Sequence, residues 1–394
     1  MARTQYTSLI AEDLAPLVGS SESLWAELDG AHVLITGGTG FVGCWLLEAV
    51  LWARSHHQVD VRIDVLARRP ERLYIVAPHI AADPSVRLVR GDIRTGDLPS
   101  GAQAHAINGD RSGRVASAYT HVIHAATETN VALDNPPPFD VFDASLTGTR
   151  HVLELCRRDA VRRFLLVSSG AVYGRNHSLG RPVNEDDPIA GVRGDIAGAY
   201  ALGKATAEFL GISFGAEYGF AAVAARCFSF VGPYLPLDSG FAVGNFIRDS
   251  LEGRSIVVNG DGTPVRAYLY GADMALWLWT MLLRGQRGDI YNVGSDRSLS
   301  IRELAMQVAR VVADELASRE KPVIVRARPT GYSAELFVPD IRRARERLAL
   351  EVRTPLDEAI RRTARWALAA SRNARQRTRA YSALACPADL KLRG

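Results

Sequence analysis

Short apolar runs alternate with helical stretches through the first half of the chain. Strands are predicted at 32–36, 61–66, 86–89, 121–124 and 164–167, and helices lie between several of them, notably at 44–54 and 148–158. Strands that alternate with helices indicate parallel strands joined by helical crossovers. The pattern therefore predicts an α/β fold with a parallel sheet covered by helices on both faces.

Beyond about residue 174 the pattern is less regular. The polar, breaker-rich segment 181–198 predicts a loop over a pocket, and a helix at 200–215 and a strand at 221–227 follow it. After Gly232 and Pro233 the elements become short, as in a smaller second lobe. We expect four regions, a helical N-terminal extension (1–30), a main domain (31–228), a second lobe (229–372) from which the chain could return to the main domain, and a tail (373–394).

The composition adds mainly exclusions. The 394 residues are 47% hydrophobic and 23% charged with a net charge of +4, so neither nucleic acid nor a membrane is expected as the main partner. The four cysteines and nine histidines show no metal-ligand or disulfide spacing, so no metal is expected. The longest apolar run, 274–283, is shorter than the about 20 residues of a membrane span, and the N-terminus is too acidic for a signal peptide. We expect a cytoplasmic protein.

Three glycines follow the first predicted strand directly. Gly37, Gly40 and Gly43 form a G-x-x-G-x-x-G turn between this strand and the next helix. Such a turn lets the backbone approach a pyrophosphate closely, and the helix N-terminus adds free N–H groups and a positive dipole. The strand–turn–helix context predicts a dinucleotide site.

The end of the second strand bears on which dinucleotide binds. NAD sites carry an acidic residue about 20 residues past the glycines, but here Ala67 stands at that place and Arg68 and Arg69 follow. Two guanidinium groups suit a 2′-phosphate, which favours NADP(H), with NAD(H) as the open alternative. In a shifted register, Asp64 would be the acid instead. Asp92-Ile93, after the third strand, is placed to bracket an adenine ring.

Tyr200 and Lys204 form a Y-x-x-x-K pair on one face of a predicted helix. A tyrosine has a pKa near 10, and we expect the neighbouring ammonium and the nicotinamide charge to lower it. Ser168 and Ser169 close a strand, at the edge of a parallel sheet where ligands bind. A serine hydroxyl there can hydrogen-bond the substrate oxygen that Tyr200 deprotonates or reprotonates.

These motifs occur in a recognisable order. TGGTGFVG, HAA (124–126), SSGAVYG, YALGK, NGDGTPVRAYLYGAD and YNVGS resemble the NAD-dependent epimerase/dehydratase branch of the extended short-chain dehydrogenases/reductases, over about residues 30–370. The resemblance implies a Rossmann-type doubly wound sheet with a smaller C-terminal substrate-binding lobe. It implies hydride exchange at a sugar carbon with Ser169, Tyr200 and Lys204 as the catalytic residues. Ser169 is preferred to Ser168 because it lies four residues before Tyr173, as in the family.

The resemblance also implies binding residues and partners. The remaining cofactor contacts would be Phe41, Val42, Ala125, Ala126, Tyr200 and Lys204. The substrate, a nucleotide-diphosphate sugar, would contact Glu128, Thr129, Ser169, Tyr173, Ser229, Asn245, Arg266 and Arg328. Arginines suit a diphosphate because they can engage it in two hydrogen bonds at once. The family further implies a homodimer.

The chain departs from the family pattern at three places. Dehydratases follow the catalytic Ser or Thr with an acidic residue, but Gly170 and Ala171 stand there and cannot transfer protons. Dehydration is therefore disfavoured, unless Glu128 supplies the carboxyl. Ser145 and Ser229 replace two asparagines of the family, which suggests a divergent substrate pocket beside an intact redox centre.

The preferred function is a nucleotide-sugar epimerase that removes and returns a hydride at C4 through a keto intermediate. A reductase of a 4-keto sugar nucleotide that consumes NADPH is the alternative, and the arginines after the second strand give it weight. A dehydratase is less favoured. The catalytic motifs also argue against a non-catalytic dinucleotide-binding protein.

Overall fold

A seven-stranded parallel sheet forms the centre of the computed structural model, in the order β3-β2-β1-β4-β5-β6-β10. Its strands are β1 (His32–Thr36), β2 (Arg62–Ala67), β3 (Val86–Arg90), β4 (His121–His124), β5 (Arg163–Ser169), β6 (Ala221–Cys227) and β10 (Ile290–Val293). The strand order reverses between β1 and β4, so the crevice at their carboxyl ends is the expected place for a ligand. The predicted α/β class and doubly wound sheet are confirmed.

The structure describes residues 10–96, 98–103, 107, 117–127, 136–174, 180–326 and 335–384, with side chains up to residue 370. The helices are α1 (Ala11–Val18), α2 (Glu22–Trp25), α3 (Phe41–His56), α4 (Leu73–Val76), α5 (Pro78–Ala82), α6 (Pro138–Arg158), α7 (Ile196–Tyr218), α8 (Ala242–Leu251), α9 (Gly271–Arg284), α10 (Ile301–Glu315), α11 (Arg342–Leu348) and α12 (Leu356–Leu384). No helix in this part of the chain has the length and apolar character that a bilayer crossing requires.

Helix α9 explains the longest apolar run in the sequence. Its residues from Gly271 to Leu283 are all buried, on every side of the helix, as expected for a helix that is apolar all round. It packs against α3 and the sheet. Strand β10 pairs with β6 in the seven-stranded sheet, and α9 packs against the same sheet. After β7 (Ser229–Val231), β8 (Ile256–Val258) and β9 (Val265–Tyr270), the chain therefore runs back to the central sheet.

The N-terminal extension is part of the main core. The apolar side chains Leu14, Leu17, Trp25 and Leu28 are buried in the same cluster as the core of α3 and α9. Trp25 packs edge-on against Trp279, with ring centroids 5.8 Å apart. The extension therefore closes the outer face of the α3–α9 layer instead of forming a separate unit.

The second lobe contains two small sheets. β9 (Val265–Tyr270) pairs with β7 (Ser229–Val231), β11 (Ser298–Ser300) and β13 (Leu336–Phe337), and β8 (Ile256–Val258) pairs with β12 (Val323–Val325). The predicted tail differs from the structure, since α12 continues to Leu384. The segment contains no glycine or proline between residues 356 and 384, so nothing in it interrupts a helix.

Candidate active site

The glycine turn joins β1 to α3. Gly37 has φ +73°, and a Cβ there would lie 2.7 Å from Cα of Ala126. A Cβ on Gly43, in the first turn of α3, would lie 2.3 Å from Cα of Gly38. Contacts with backbone atoms cannot be relieved by rotating a side chain. Both positions therefore need glycine for the turn to close.

Gly40 is different, because the protein itself leaves room for a side chain there. It precedes α3 with an ordinary φ of −92°, and a Cβ would meet only the Gly37 carbonyl oxygen, at 3.6 Å. The bare backbone keeps the amino end of α3 open, where the first N–H groups of a helix and its dipole attract anions. This open cradle fits a dinucleotide pyrophosphate.

A cleft of about 560 Å³ opens beside the turn, along the carboxyl ends of β1 to β4. The predicted cofactor residues that line it are Gly37, Arg68, Arg69, Asp92, Ile93, Ala125, Ala126 and Lys204. Of the other five predicted cofactor residues, four lie in the turn and the first turn of α3, namely Gly40, Phe41, Val42 and Gly43. The fifth, Tyr200, is on α7 and is not among the residues that line the cleft. The ring of Phe41 stacks on Phe230, with centroids 6.2 Å apart.

Several lining residues had no sequence signal of their own. They include Thr39, Arg72, Arg94, Thr127 and Thr149. Arg72 and Arg94 join Arg68 and Arg69 around the ends of β2 and β3, so four guanidinium groups line this part of the cleft. Glu71 and Asp92 line the same region, and Arg94 pairs with Asp92 at 2.6 Å, so the excess positive charge that favours an additional phosphate comes from Arg68, Arg69 and Arg72.

Asp64 does not reach the cleft. It is fully buried within β2, where it accepts hydrogen bonds from Arg87 Nε (2.7 Å) and the Tyr119 hydroxyl (2.8 Å). Burial raises its pKa, but His32 and Arg87 outweigh burial and hold the pKa below its usual value. The shifted-register alternative, with Asp64 as the ribose-binding acid, is therefore wrong, because its carboxylate is already committed to a buried ion pair.

Tyr200 and Ser169 come together in the structure. Helix α7 begins beside Asp195, whose carboxylate accepts the Gly198 N–H (2.7 Å), and carries Tyr200 in its second turn. The side chains of Ser169 and Thr127 both hydrogen-bond the Tyr200 hydroxyl. Ser169 Oγ also accepts the Ala171 N–H (3.1 Å), which leaves its own proton free to donate to another group.

The expected lowering of the Tyr200 pKa is not found in the protein alone. Burial raises the pKa of Tyr200, and the hydrogen bonds from Ser169 and Thr127 offset this only in part. Lys204 is buried, donates to the Val167 carbonyl (3.0 Å) and lies 6.0 Å from the Tyr200 ring centre. Burial lowers the pKa of Lys204 to about 8, so its charge titrates close to neutral pH.

Ser168 faces a different environment from Ser169. Its hydroxyl donates to Glu208 Oε1 (2.5 Å), and Glu208 in turn accepts hydrogen bonds from Arg226, with Nη2 at 2.8 Å. Successive residues of a strand point to opposite faces, so only one of the two serines can reach Tyr200. The structure places Ser169 there.

Tyr173 belongs to the buried network. It is 2% exposed, and its hydroxyl donates to Asn292 Oδ1 (2.8 Å) and accepts from Arg226 Nη1 (2.9 Å). A substrate contact through this hydroxyl would have to displace one of these partners. Packing of the strand end explains Tyr173 without a ligand.

The remaining substrate candidates lie in the second lobe or outside the described residues. Arg266, on β9, donates to Glu335 Oε2 (2.5 Å), so a diphosphate would have to compete with this carboxylate. Ser229 on β7 and Asn245 on α8 are half-buried. Glu128, Thr129 and Arg328 lie outside the described residues.

Gly170 lies against an aromatic ring. A Cβ at this position would come within 2.8 Å of Phe228 Cζ, and Phe228 is itself held between Tyr173 and Phe337. A larger side chain would have to displace this packed cluster. Gly170 therefore carries no carboxyl and leaves no room for one, and Ala171, the second of these positions, carries none either.

The geometry agrees with a family match. The model of the NAD-dependent epimerase/dehydratase family matches residues 33–294, which is more than half of the chain. The chain belongs to this family. The recognition made from the motifs is thus confirmed, and the protein is an enzyme of the extended short-chain dehydrogenase/reductase type.

Three relatives illustrate the similarity of the chain to members of this family. A dTDP-glucose 4,6-dehydratase of Streptomyces antibioticus is 27% identical, over 85% of this chain and 92% of its own. A dTDP-glucose 4,6-dehydratase of Streptomyces venezuelae, solved with NAD bound, is 25% identical, covers 85% of this chain and 96% of its own, and superposes with a TM-score of 0.67. An epimerase of Methanothermobacter thermautotrophicus shares the fold, with a TM-score of 0.71, 22% identity and coverage of 92% and 98%.

Proposed function

We propose that the protein is a nucleotide-sugar 4-epimerase, which removes and returns a hydride at C4 of the sugar. The observation that carries this proposal is the set of groups around Tyr200. Ser169 and Thr127 supply hydroxyls and Lys204 an ammonium, whereas Gly170 and Ala171 supply no carboxyl. Loss of water from the sugar needs an acid and base, and the described residues around Tyr200, which do not include Glu128, supply no carboxyl for it, although the named relatives include dehydratases.

Each residue has a role in the proposed reaction. A bound nicotinamide dinucleotide supplies the acceptor and donor of the hydride. Tyr200 takes the proton of the C4 hydroxyl and later gives it back, and Ser169 hydrogen-bonds the same oxygen so that it faces Tyr200. Lys204, buried behind Tyr200, holds positive charge that stabilises the phenolate.

The cofactor that we propose is NADP(H), because Arg68, Arg69, Arg72 and Arg94 line the cleft where β2 and β3 end. NAD is the cofactor seen in the solved dehydratase relative, and it is the alternative here. The arginines also favour a second candidate function, reduction of a 4-keto sugar nucleotide. In that reaction Tyr200 would donate its proton to the keto oxygen, and NADPH would be consumed.

One experiment separates these functions. The protein is purified and denatured to identify any released dinucleotide, and the native enzyme is incubated with UDP-glucose and dTDP-glucose. We expect the C4 epimer to form with no net change in cofactor absorbance at 340 nm. A 4-keto-6-deoxy product would contradict the proposal and indicate a dehydratase. Stoichiometric NADPH oxidation by a 4-keto sugar nucleotide, without epimerisation, would favour the reductase.

We also propose that the protein is a homodimer, joined through the outer faces of α6 and α7. These two helices pack on each other, yet Phe139 on α6 and Phe209 on α7 are 72% and 68% exposed. Exposed apolar side chains of this size on two packed helices are typical of an interface. Sedimentation equilibrium should give twice the chain mass, and Phe209→Glu should give the chain mass. A wild-type monomer would contradict this arrangement.

A further inference from the structure

A buried ion pair connects α7, the helix that carries Tyr200 and Lys204, to strand β6. Glu208 is on α7, one turn after Lys204, and Arg226 is on β6. The two residues are 3% and 4% exposed, and Arg226 reaches both carboxylate oxygens of Glu208, at 2.8 to 3.2 Å. An ion pair is costly to bury unless its hydrogen bonds are well satisfied. The buried pair, with its hydrogen bonds satisfied, is therefore part of the structure around the candidate active site. The proposed reaction assigns no role to it.

The pair is tied to the strand that carries Ser169. The Ser168 hydroxyl donates to Glu208 Oε1, and the Lys204 ammonium donates to the carbonyl of Val167, the preceding residue. Lys204 and Glu208 therefore hydrogen-bond two consecutive residues of β5, Val167 and Ser168. This double attachment fixes how deep α7 lies against the sheet, and with it the direction in which Lys204 enters the cleft.

Several titratable groups face Lys204. Tyr200 and Glu208 lie on its own helix, Cys227 and Arg226 on β6, and His124 on β4. Burial raises the pKa of Cys227 to about 12 and lowers that of His124 to about 3, so both are uncharged near neutral pH. Among these groups, the negative charge that acts on Lys204 is the Glu208 carboxylate.

We propose that Glu208, held in place by Arg226 and Ser168, is a positioning residue that keeps the Lys204 ammonium charged and directed into the dinucleotide cleft. This inference rests on the proposed function for the identity of the ligand. Burial drives the Lys204 pKa down to about 8, and Cys227 and Glu208 oppose that shift. Without the carboxylate, Lys204 would lose its proton at a lower pH.

The test is the pH dependence of NAD⁺ affinity, measured by calorimetry without sugar. NAD⁺ is the probe because a 2′-phosphate would itself titrate near pH 6. Wild-type affinity should fall as pH rises through about 8, where Lys204 becomes neutral. In Glu208→Gln the midpoint should move to lower pH by about 0.5 unit or more, whereas Glu208→Asp should keep it. Lys204→Met should remove the inflection.

Breaking one half of a buried ion pair can prevent folding. The double variant Glu208→Gln/Arg226→Gln removes both charges together and should also shift the midpoint downward. Asp64→Asn, in the equally buried pair with Arg87, is the matched control and should lower stability without moving the midpoint. An unchanged midpoint in the folded Glu208 variants would overturn the inference. Wild-type protein that binds NAD⁺ but transforms no sugar nucleotide would overturn only the proposed function, and protein that binds no dinucleotide would overturn both.

Discussion

Tyr200→Phe should lower kcat by about a thousand-fold, the scale of a lost general acid–base group. The substitution removes only the hydroxyl that hydrogen-bonds Ser169 and Thr127. The ring, the helix and the position of Lys204 are unchanged, so the dinucleotide affinity should stay within about twofold of wild type. Steady-state kinetics with a sugar nucleotide and calorimetry with the dinucleotide measure the two quantities separately.

Tyr218→Phe is the matched control for this variant. Tyr218 lies at the end of the same helix and is 44% exposed, so loss of its hydroxyl should leave kcat unchanged. A Tyr200→Phe enzyme that kept more than a few per cent of wild-type activity would show that another group transfers the proton. A parallel loss of dinucleotide affinity would instead indicate a structural role for the hydroxyl.

The double substitution Arg68→Ala/Arg69→Ala should weaken NADP⁺ binding by roughly 10- to 100-fold. Charge-assisted hydrogen bonds of this kind contribute about 1.5–3 kcal/mol, and these two side chains are exposed, which reduces the effect through solvent screening. The affinity for NAD⁺ should be nearly unchanged, since only NADP⁺ carries the 2′-phosphate. Titration of each dinucleotide into wild type and variant measures the change in preference.

Arg90→Ala provides the comparison at the same edge of the sheet. Arg90 ends β3 and pairs with Glu71 at 2.9 Å, with 56% of its side chain exposed, and it does not line the cleft. Arg90 also donates to the Arg68 carbonyl oxygen (3.2 Å), and its partner Glu71 lines the cleft, so its removal should weaken NADP⁺ binding much less than the double substitution does and leave the NAD⁺ affinity nearly unchanged. Tighter binding of NAD⁺ than NADP⁺ by the wild type, with no effect of the double substitution, would refute the proposed cofactor.

Most of the sheet could be predicted because its strands are short apolar runs that end in glycine or polar residues. β1, β4 and β6 have the predicted bounds, whereas β3 differs by one residue at one end and β2 and β5 differ by one or two residues at both ends. β10 was not assigned to this sheet in advance. Its four residues resemble any short strand, and only the long-range pairing with β6 places it there.

The candidate catalytic residues were predictable for a different reason. Tyr200, Lys204 and Ser169 lie within recognisable motifs, and the spacing from Tyr173 favours Ser169 over Ser168. Thr127 and Glu208 were missed, although each follows a predicted residue, Thr127 directly after Ala126 and Glu208 one helical turn after Lys204. Their roles depend on contacts with residues of other helices and strands. The spacing of residues along the sequence does not reveal such contacts.

The two ends of the chain are joined across the back of the core. Asp13 in α1 accepts the Tyr270 hydroxyl and pairs with Arg362 of α12, at 2.8 Å. A fragment cut to the family-like portion, starting near residue 31, would leave the surface around Trp279 open to water and would leave Tyr270 and Arg362 without their Asp13 partner. We therefore expect such a shortened protein to aggregate when it is expressed. A purification tag should be added in front of the N-terminal segment and should not replace it.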